Sequence, residues 1–370
     1  MSQAKRLQCD ILVCGAGPAG ASAALAAASQ GARVLVLEER EKEKAPGKAS
    51  GKTSDDSFAL VPPYLLSKLA LEKTDDLVLR TTRHTSVYLD DRFEMSMSER
   101  MRVIRGDVLL QKLRETAEEH GASLLWGHRL WRILDEHTAQ VEGPDEKMLL
   151  IDADVIIGTE GLFSPVWHCV REGRALRTLP VLRAKIRIEK WHTDEVGLFF
   201  ERRYPAGFGW VVPCQNHASI GVCGPFMENE DEETQKRLRS LLLSLAAMGH
   251  LSGETRCECG VKRIPVYQQG RLVRDSLVLA GTAAGHVHPI SGGGMTYAIL
   301  GGEMAGRWAA KAVGEARMNA LRNYEEEWEA GLGSVLRNAL RLRRRWEAKK
   351  ALLREVAESF RFRTHEAVAP

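Results

Sequence analysis

At the start of the chain, the pattern of apolar and polar residues predicts a strand, a turn, a helix and a second strand, in that order. The apolar run 9–14 contains β-branched residues and leads into a glycine turn, and the small-residue stretch 21–30 predicts a helix that ends at Gly31. A second apolar run, 32–39, predicts another buried strand. This order is typical of one βαβ unit with a parallel sheet.

The pattern then changes to shorter elements. Residues 84–97 alternate on either side of Asp90 and Asp91, which predicts a hairpin. Apolar residues four apart predict a helix over 101–121. The remaining elements are expected in this order: strands over 122–161 and 179–224, an amphipathic helix with an acidic start over 228–249, a strand at 276–281, and helices to the end.

Length and charge restrict the class of protein. A chain of 370 residues is long enough for two interlocked domains. Its net charge of +3 is small for this length and argues against nucleic acid as a partner. No run of about eighteen apolar residues predicts a membrane-spanning helix, and the polar start does not resemble a signal peptide. A cytoplasmic protein is therefore expected.

The cysteines favour the same compartment. The sequence has seven of them, and no two have C-x-x-C spacing. Cys257 and Cys259 are one residue apart, but no second pair or His-x-x-x-His follows them, so no metal site is predicted. Reduced thiols in a cytoplasm are the usual state for such a pattern.

The turn between the first strand and the first helix has G-x-G-x-x-G spacing at Gly15, Gly17 and Gly20. The first glycine permits a tight turn, the second lets a pyrophosphate approach the backbone, and the third lets helix and strand pack closely. Glu38 closes the second strand, where a carboxylate can bind both hydroxyls of a ribose. These residues predict dinucleotide binding, and the acid disfavours the 2′-phosphate of NADP.

Four segments, in order along the chain, resemble a known flavoprotein family. They are the glycine turn with Glu38, the stretch 103–113 with Arg105, the stretch 154–166 with Glu160, and the stretch 278–299. The sequence resembles the flavin-binding family of the hydroxybenzoate-hydroxylase fold and, within it, looks most like the geranylgeranyl reductases. The resemblance implies bound FAD and an α/β fold, in which a Rossmann-like FAD-binding domain is interrupted by a β-rich substrate domain and followed by C-terminal helices.

The resemblance also implies domain boundaries and cofactor-binding residues. The FAD-binding domain is expected over 1–83, 101–165 and 268–320, the β-rich substrate domain over 84–100 and 166–267, and the C-terminal helices over 321–370. The residues expected to bind the cofactor are Gly15, Ala16, Gly17, Pro18, Ala19, Gly20, Glu38, Glu39, Ser50, Gly51, Arg105, Leu130, Glu160, Gly281, Thr282, Gly292, Gly293, Gly294 and Met295. Glycines 292–294 open a helix whose amides can bind the pyrimidine edge of a reduced flavin.

Two positions depart from the family pattern. Thr282 stands where the family usually has an aspartate that binds the ribityl chain, and a hydroxyl can make this hydrogen bond without a charge. Ser50 stands where many reductases have a cysteine, so a role for a thiol does not carry over to this chain.

Phe208 and Trp210 are two aromatic residues in an apolar stretch that ends at Pro213. Residues two apart on a strand point to the same side of a sheet. Core packing is one explanation of such a pair. The stretch also resembles a motif on the substrate sheet of the reductases, which implies that Phe208, Trp210 and Pro213 form a pocket wall for a polyprenyl chain.

The resemblance therefore implies an FAD-dependent reductase that saturates carbon–carbon double bonds of an isoprenoid chain, with a polyprenyl lipid or a prenyl diphosphate as substrate. An isolated alkene accepts hydride poorly, so a proton donor is required. Ser50 and His288 are the catalytic candidates, with Lys48, Lys52 and His286 nearby. No second dinucleotide motif indicates the electron donor. A flavin halogenase or monooxygenase, or a non-catalytic flavoprotein that binds prenyl lipid, is the alternative.

The stretch 334–363 is strongly basic, with ten Lys and Arg against three Glu. Its apolar residues recur at a rough helical spacing, which predicts a basic amphipathic helix. Such a helix can be docked on the flavin domain with a solvated basic face. Alternatively, that face can meet anionic lipid and give a peripheral association with a membrane.

Overall fold

The computed structural model describes residues 5–41, 58–71, 74, 76–171, 177–188, 191–204, 206–215, 217–224, 230–251, 260–266 and 270–361. Within them, the α-helices are α1 (Pro18–Ala28), α2 (Pro63–Lys68), α3 (Gly106–Glu119), α4 (Pro165–Val170), α5 (Glu230–Ala247), α6 (Met295–Gly314), α7 (Arg322–Trp328), α8 (Ser334–Glu347) and α9 (Leu353–Glu358). The short 3-10 helices are Pro144–Glu146, Gly281–Ala284 and Met318–Leu321, and a π-helical turn at Glu329–Gly333 joins α7 to α8.

The first sheet contains the predicted βαβ unit, which the structure confirms. Its strands are β1 (Lys5–Cys14), β2 (Val34–Glu38), β6 (Ser123–Trp126), β7 (Arg129–Ile133), β8 (Thr138–Glu142), β9 (Met148–Gly158), β15 (Val273–Arg274) and β16 (Leu277–Leu279). The main path runs β15-β16-β9-β1-β2-β6, and its central neighbours β16, β9, β1, β2 and β6 are parallel. Strand β1 is buried along its second half, as expected for a parallel strand covered on both faces.

The second sheet is almost entirely antiparallel. Its strands are β3 (Phe58–Val61), β4 (Val78–Leu89), β5 (Arg92–Arg105), β10 (Thr178–Ile186), β11 (Glu195–Phe200), β12 (Phe208–Pro213), β13 (Ala218–Cys223) and β14 (Gly260–Pro265). They lie in the order β14-β10-β13-β12-β11-β4-β5-β3, and only the β11–β4 pair among them is parallel. The predicted hairpin is confirmed: Asp90 and Asp91, with φ of 47° and 67°, form the two-residue turn between β4 and β5.

The helix predicted over 101–121 is wrong in its first turn. Strand β5 continues to Arg105, and the helix begins at Gly106. The reason is long-range pairing: the buried residues Val103 and Ile104 pair with β3, which overrides the helical spacing of the sequence further on. Strand β3 and the end of β5 thus belong to the second sheet, although their residues were assigned to the FAD-binding domain. The domain boundaries themselves stay a prediction.

The two sheets are covered by different helices. Helix α1 packs so closely on α6 that a side chain at Gly302 or Gly306 would overlap the backbone of α1. Helix α5 covers one face of the second sheet with buried leucines, Leu238, Leu241 and Leu245. Helices α8 and α9 contribute to the apolar cluster on its other face. Within the described ranges, no helix combines the length and the apolar character needed to cross a membrane.

Candidate active site

The glycine turn after β1 leaves no room for side chains at two of its three glycines. Gly15 has φ of 97°, a conformation that favours glycine, and a Cβ at Gly20 would overlap the Gly15 carbonyl oxygen. At Gly17, by contrast, a Cβ would have no atom within 4 Å. Gly17 is also the N-cap of α1, so free backbone amides and open space meet at this residue.

The carboxyl ends of three parallel strands meet beside this turn. The Thr159 hydroxyl, just after β9, donates to the carbonyl oxygens of Cys14 (2.6 Å) and Gly15 (2.8 Å). After β16, Gly281 has φ of 62°, and a side chain there would overlap Ala19 of α1. Ligands of such α/β sheets bind at the carboxyl ends of the strands. The structure therefore brings Gly281 and its neighbour Thr282 to the glycine turn.

Glu38, at the end of β2, is buried and held by two arginines. Its carboxylate accepts hydrogen bonds from the guanidinium groups of Arg40 (2.9 Å) and Arg114 (3.0 Å). Burial opposes ionisation, but the hydrogen bond and charge of Arg40, with the charge of Arg114, lower the pKa of Glu38 overall. The predicted Glu39 beside it is exposed.

Arg114 belongs to the same site, although no motif in the sequence singles it out. Its guanidinium also donates to the Ala16 carbonyl oxygen at 2.8 Å and lies 5.0 Å from the ring of Trp126. It therefore connects α3, the glycine turn, Glu38 and β6. Only its place one residue after the buried Leu113 on a predicted helix could have indicated it, and that signal is shared by many surface residues.

Two other predicted residues occupy ordinary structural positions. Arg105 is the N-cap of α3 and forms an ion pair with Asp107 at 2.9 Å. Leu130 is buried in the core under the first sheet. Their roles toward a cofactor stay predictions.

Glu160 lies beside the glycine turn, where a Cβ on Gly15 would come within 3.2 Å of its backbone. Its Oε2 accepts a hydrogen bond from the Ser164 hydroxyl at 2.7 Å. Its Oε1 is buried and has no hydrogen-bond partner in the described part of the chain. Burial raises the pKa of Glu160 to about 7, although hydrogen bonds from Ser164 and the backbone act against the rise. This carboxyl can thus exchange a proton near neutral pH.

The segment between β16 and α6 holds two buried histidines. His286 accepts a hydrogen bond from the Gly281 amide at 3.2 Å and stacks on Trp328, with ring centroids 3.6 Å apart. Burial lowers its pKa well below the usual range. A neutral, stacked ring that binds a backbone amide is a support for the turn at Gly281.

His288 is buried beside the glycines that open α6. Its Nδ1 accepts a hydrogen bond from the Ser291 amide at 3.1 Å, and its backbone exchanges hydrogen bonds with Gly292 and Gly293. Burial lowers the pKa of His288 to about 4, so the ring is uncharged at neutral pH. Met295 follows as the first residue of α6.

Phe208 and Trp210 share a face of the second sheet, as predicted from their spacing. They belong to what we term the aromatic cluster, made of Phe200, Phe208, Trp210, Trp346 and Phe360. Phe208 is 5% exposed, with its ring 5.8 Å from Trp210 and 4.8 Å from Phe360. Trp210 is half-buried and lies across Gly221 of β13, where a side chain would overlap its ring.

The predicted Pro213 does not share this face. Successive residues of a strand alternate between its two sides. Pro213 therefore points with Gly209 and Val211 toward the α5 side of the sheet, where Val211 packs in the core under that helix.

The aromatic cluster reaches the glycines before α6 through two isoleucines. The side chain of Ile264 lies so close to Gly292 that a Cβ there would overlap it. Ile264 and the buried Ile290 pack in the same apolar cluster as Phe208 and Trp210. The structure thus brings together the aromatic cluster and the residues Gly292, Gly293 and Gly294, which we term the glycine loop and which are far from the cluster in the sequence.

Four predicted residues cannot be placed. Lys48, Ser50, Gly51 and Lys52 lie outside the described residues. The same holds for the cysteines at 257 and 259.

Comparisons with known proteins agree with this architecture. A family model described as FAD binding domain matches residues 8–339. Digeranylgeranylglycerophospholipid reductase 2 of Methanopyrus kandleri is 26% identical over 354 aligned residues, which cover 90% of this chain and 86% of that protein.

Two solved structures have the same fold at low sequence identity. A geranylgeranyl bacteriochlorophyll reductase-like protein from Thermoplasma acidophilum has a TM-score of 0.77 at 19% identity, covering 98% of this chain and 94% of that one. The myxobacterial chondrochloren halogenase, a variant of the FAD-dependent halogenases, has a TM-score of 0.70 at 14% identity, covering 96% of this chain and 89% of that one.

Proposed function

Because this chain belongs to the FAD binding domain family and is an FAD-dependent oxidoreductase, we propose that it saturates carbon–carbon double bonds in an isoprenoid chain. The name of the Methanopyrus kandleri relative, a digeranylgeranylglycerophospholipid reductase, supports a polyprenyl lipid as the substrate. The two features that support the assignment are the glycine turn and the aromatic cluster.

The residues of the glycine turn fit FAD. The open space at Gly17 and the free amides at the start of α1 suit a pyrophosphate, whose charge the helix N-terminus favours. Glu38 would hold a ribose, and Thr282 would stand near the ribityl chain. When bound and reduced, FAD supplies the hydride for the reaction. The chain's own part is to bind, to orient and to exclude water.

The observation that carries the proposal is the aromatic cluster beside the glycine loop. The half-buried Trp210 offers ring surface and packs on the buried Phe208, and Ile264 and Ile290 extend this apolar cluster to Gly292. An isoprenoid chain has no hydrogen-bonding groups, so only apolar contacts of this kind can hold and orient it. Fixing one double bond against such a wall would lower the activation barrier by several kcal/mol through orientation alone.

The proton donor stays a proposal between Ser50 and His288. His288 can donate a proton only from its charged form, and its pKa of about 4 makes that form scarce at neutral pH. If His288 is the donor, kcat rises as the pH falls toward 4, and replacement by Gln removes the rise. A pH profile without such an acid limb leaves Ser50 as the candidate.

Product analysis tests the function. The purified protein is photoreduced without oxygen, mixed with a digeranylgeranyl lipid, and the lipid is examined by mass spectrometry. We expect a gain of two hydrogens for each bond saturated. An oxygenated or halogenated product in the presence of oxygen and halide would instead assign the monooxygenase or halogenase chemistry. An unchanged lipid under all conditions would leave a non-catalytic flavoprotein.

A matched pair of variants locates the activity. Trp210→Ala removes a ring from the aromatic cluster, and Trp131→Ala removes a half-exposed ring from β7 in the other sheet. We expect only the first to slow the reduction, with FAD content unchanged in both. Equal activity of the two variants would contradict the assignment of the cluster as the substrate wall.

A further inference from the structure

Most basic residues of the C-terminal helices fall into two groups, whereas Arg341 donates a hydrogen bond to the side chain of Asn338. Four arginines of α8 and α9 are paired with acids, as in Arg345 with Glu355 at 3.1 Å and Arg354 with Glu358 at 2.9 Å. Arg337 and Arg343 have similar partners on neighbouring turns. These ion pairs neutralise four of the ten basic residues counted in the stretch 334–363.

The second group lies at the ends of the helices. Arg344, Lys349, Lys350 and Arg361 are exposed, and none forms an ion pair with an acid of the described residues. Between α8 and α9, the side chain of Leu352 is 71% exposed. We term these five residues the basic turn. Two of these cations, Lys349 and Lys350, lie within three residues of Leu352 in the turn that joins α8 to α9.

The basic turn is attached directly to the aromatic cluster. Trp346, two residues after Arg344, lies 5.9 Å from the ring of Phe200, and Phe360, next to Arg361, lies 4.8 Å from that of Phe208. The buried Arg343 donates a hydrogen bond to the Pro289 carbonyl oxygen at 3.4 Å, close to the glycine loop. A movement of the basic turn would therefore shift α8 and α9, the helices that cover the aromatic cluster.

We propose that the basic turn docks the protein on an anionic lipid bilayer, with Leu352 inserted among the head groups. Cations attract the negative surface of such a bilayer, and an apolar tip adds burial that simple charge attraction lacks. Docking at this turn places the cover of the aromatic cluster at the lipid surface, where a polyprenyl tail enters. The inference rests on the proposed function, since a lipid substrate is what requires contact with a bilayer.

Flotation of the full-length holoprotein with vesicles tests the proposal. We expect binding to phosphatidylglycerol–phosphatidylcholine vesicles at low salt, and little binding to pure phosphatidylcholine or at high salt. The triple variant Arg344→Gln, Lys349→Gln, Lys350→Gln should lower the partition coefficient at least tenfold, and Leu352→Ser should lower it about threefold. FAD absorbance shows that each variant is folded.

Two control variants match these changes in chemistry but not in position. Phe163→Ser removes another exposed apolar side chain, 90% exposed after β9, and Arg271→Gln with Arg322→Gln removes exposed cations elsewhere. Both controls should bind vesicles like the unchanged protein. Equal flotation on neutral and anionic vesicles, no flotation at all, or a triple variant that binds like the unchanged protein would overturn the proposal.

Failure of the docking surface and failure of the proposed function are distinguishable. With substrate dispersed in detergent, the triple variant should reduce it as fast as the unchanged protein, because the bilayer is no longer needed. A protein that binds anionic vesicles through the basic turn but reduces no lipid would refute the function and keep the docking surface.

Discussion

The glycine turn and the aromatic cluster are built in opposite ways. At the turn, the shape comes from absent side chains, since Gly15 and Gly20 allow backbone atoms to approach within contact distance. At the cluster, the shape comes from large side chains of distant segments, such as Phe208 of β12 and Phe360 after α9. In the proposed function, the first site would be a backbone cradle for a polar cofactor, and the second a side-chain wall for an apolar substrate.

This difference predicts how each region fails when it is changed. A backbone cradle cannot accommodate an added side chain, because a carbonyl oxygen cannot move without its whole strand. A side-chain wall can lose one ring and keep its fold if that ring is partly exposed. Substitutions at the two regions should therefore separate loss of cofactor from loss of turnover.

The largest effect is expected at the third glycine of the turn. Gly20→Ala places a Cβ on the Gly15 carbonyl oxygen, a backbone atom that cannot move aside, so the cost should be well above the about 1–3 kcal/mol typical of core overpacking. We expect poor folding and no FAD in this variant. Gly17→Ala is the matched control, because its Cβ enters open space at an ordinary φ of −72°.

Gly17→Ala should fold normally but bind FAD at least tenfold more weakly, since the methyl group occupies the approach of the pyrophosphate. Circular dichroism and flavin fluorescence measure both outcomes. A Gly20→Ala protein that folds and keeps its FAD would contradict the cradle.

Local patterns explain what the sequence could predict. The glycine spacing, the alternation around Asp90 and Asp91, and the position of Glu38 each depend on a few neighbouring residues. The start of α3, the role of Arg114 and the packing of Phe360 on Phe208 depend on residues many positions apart. No periodicity in the sequence contains that information, so these features could only be found in the structure.

The next largest effect distinguishes the two rings of β12. Phe208 is 5% exposed, and Phe208→Ala should lower the free energy of unfolding by about 3–5 kcal/mol. Trp210 is half-buried, so Trp210→Ala should lose less stability while turnover falls sharply. Thermal unfolding and steady-state kinetics check the pair. Similar loss of soluble protein in both variants would show that the pair is only core packing.

A pH-dependent effect is expected at Glu160. Its pKa is about 7 in the folded protein and 4.5 in the unfolded chain, so its stabilising contribution is present below about pH 4.5 and is lost as the pH rises through 7. Because Gln does not ionise, the Glu160→Gln variant should not show this loss of stability, which amounts to at most about 3 kcal/mol at pH 8. Denaturant unfolding at pH 5 and 8 measures it, and parallel curves for the two proteins would refute the raised pKa.

A smaller effect is expected at Arg114, which positions Glu38 and the Ala16 carbonyl oxygen. Arg114→Met should weaken FAD binding about tenfold, or about 1.4 kcal/mol. Arg40→Met is the control on the same carboxylate, and it should cost less because the Arg40 side chain is 65% exposed. Titration of the FAD-free protein with FAD gives both constants. A larger loss from Arg40→Met would reverse the assignment.

The smallest effect is expected at Thr282, which lies next to the glycine turn. Thr282→Asp should tighten FAD binding a few-fold if the residue stands where the family has its aspartate. The same titration measures the change. An affinity that falls tenfold, about 1.4 kcal/mol, would show that Thr282 does not face the ribityl chain.

A single-turnover experiment tests most directly whether the cradle and the wall act on one reaction. The photoreduced holoprotein is mixed without oxygen with a digeranylgeranyl lipid, and the flavin absorbance and the lipid mass are followed together. We predict that the oxidised flavin spectrum returns in step with a gain of two hydrogens by the lipid, and that Trp210→Ala slows both equally. A flavin that stays reduced, or one that is oxidised without any change in lipid mass, would contradict the account.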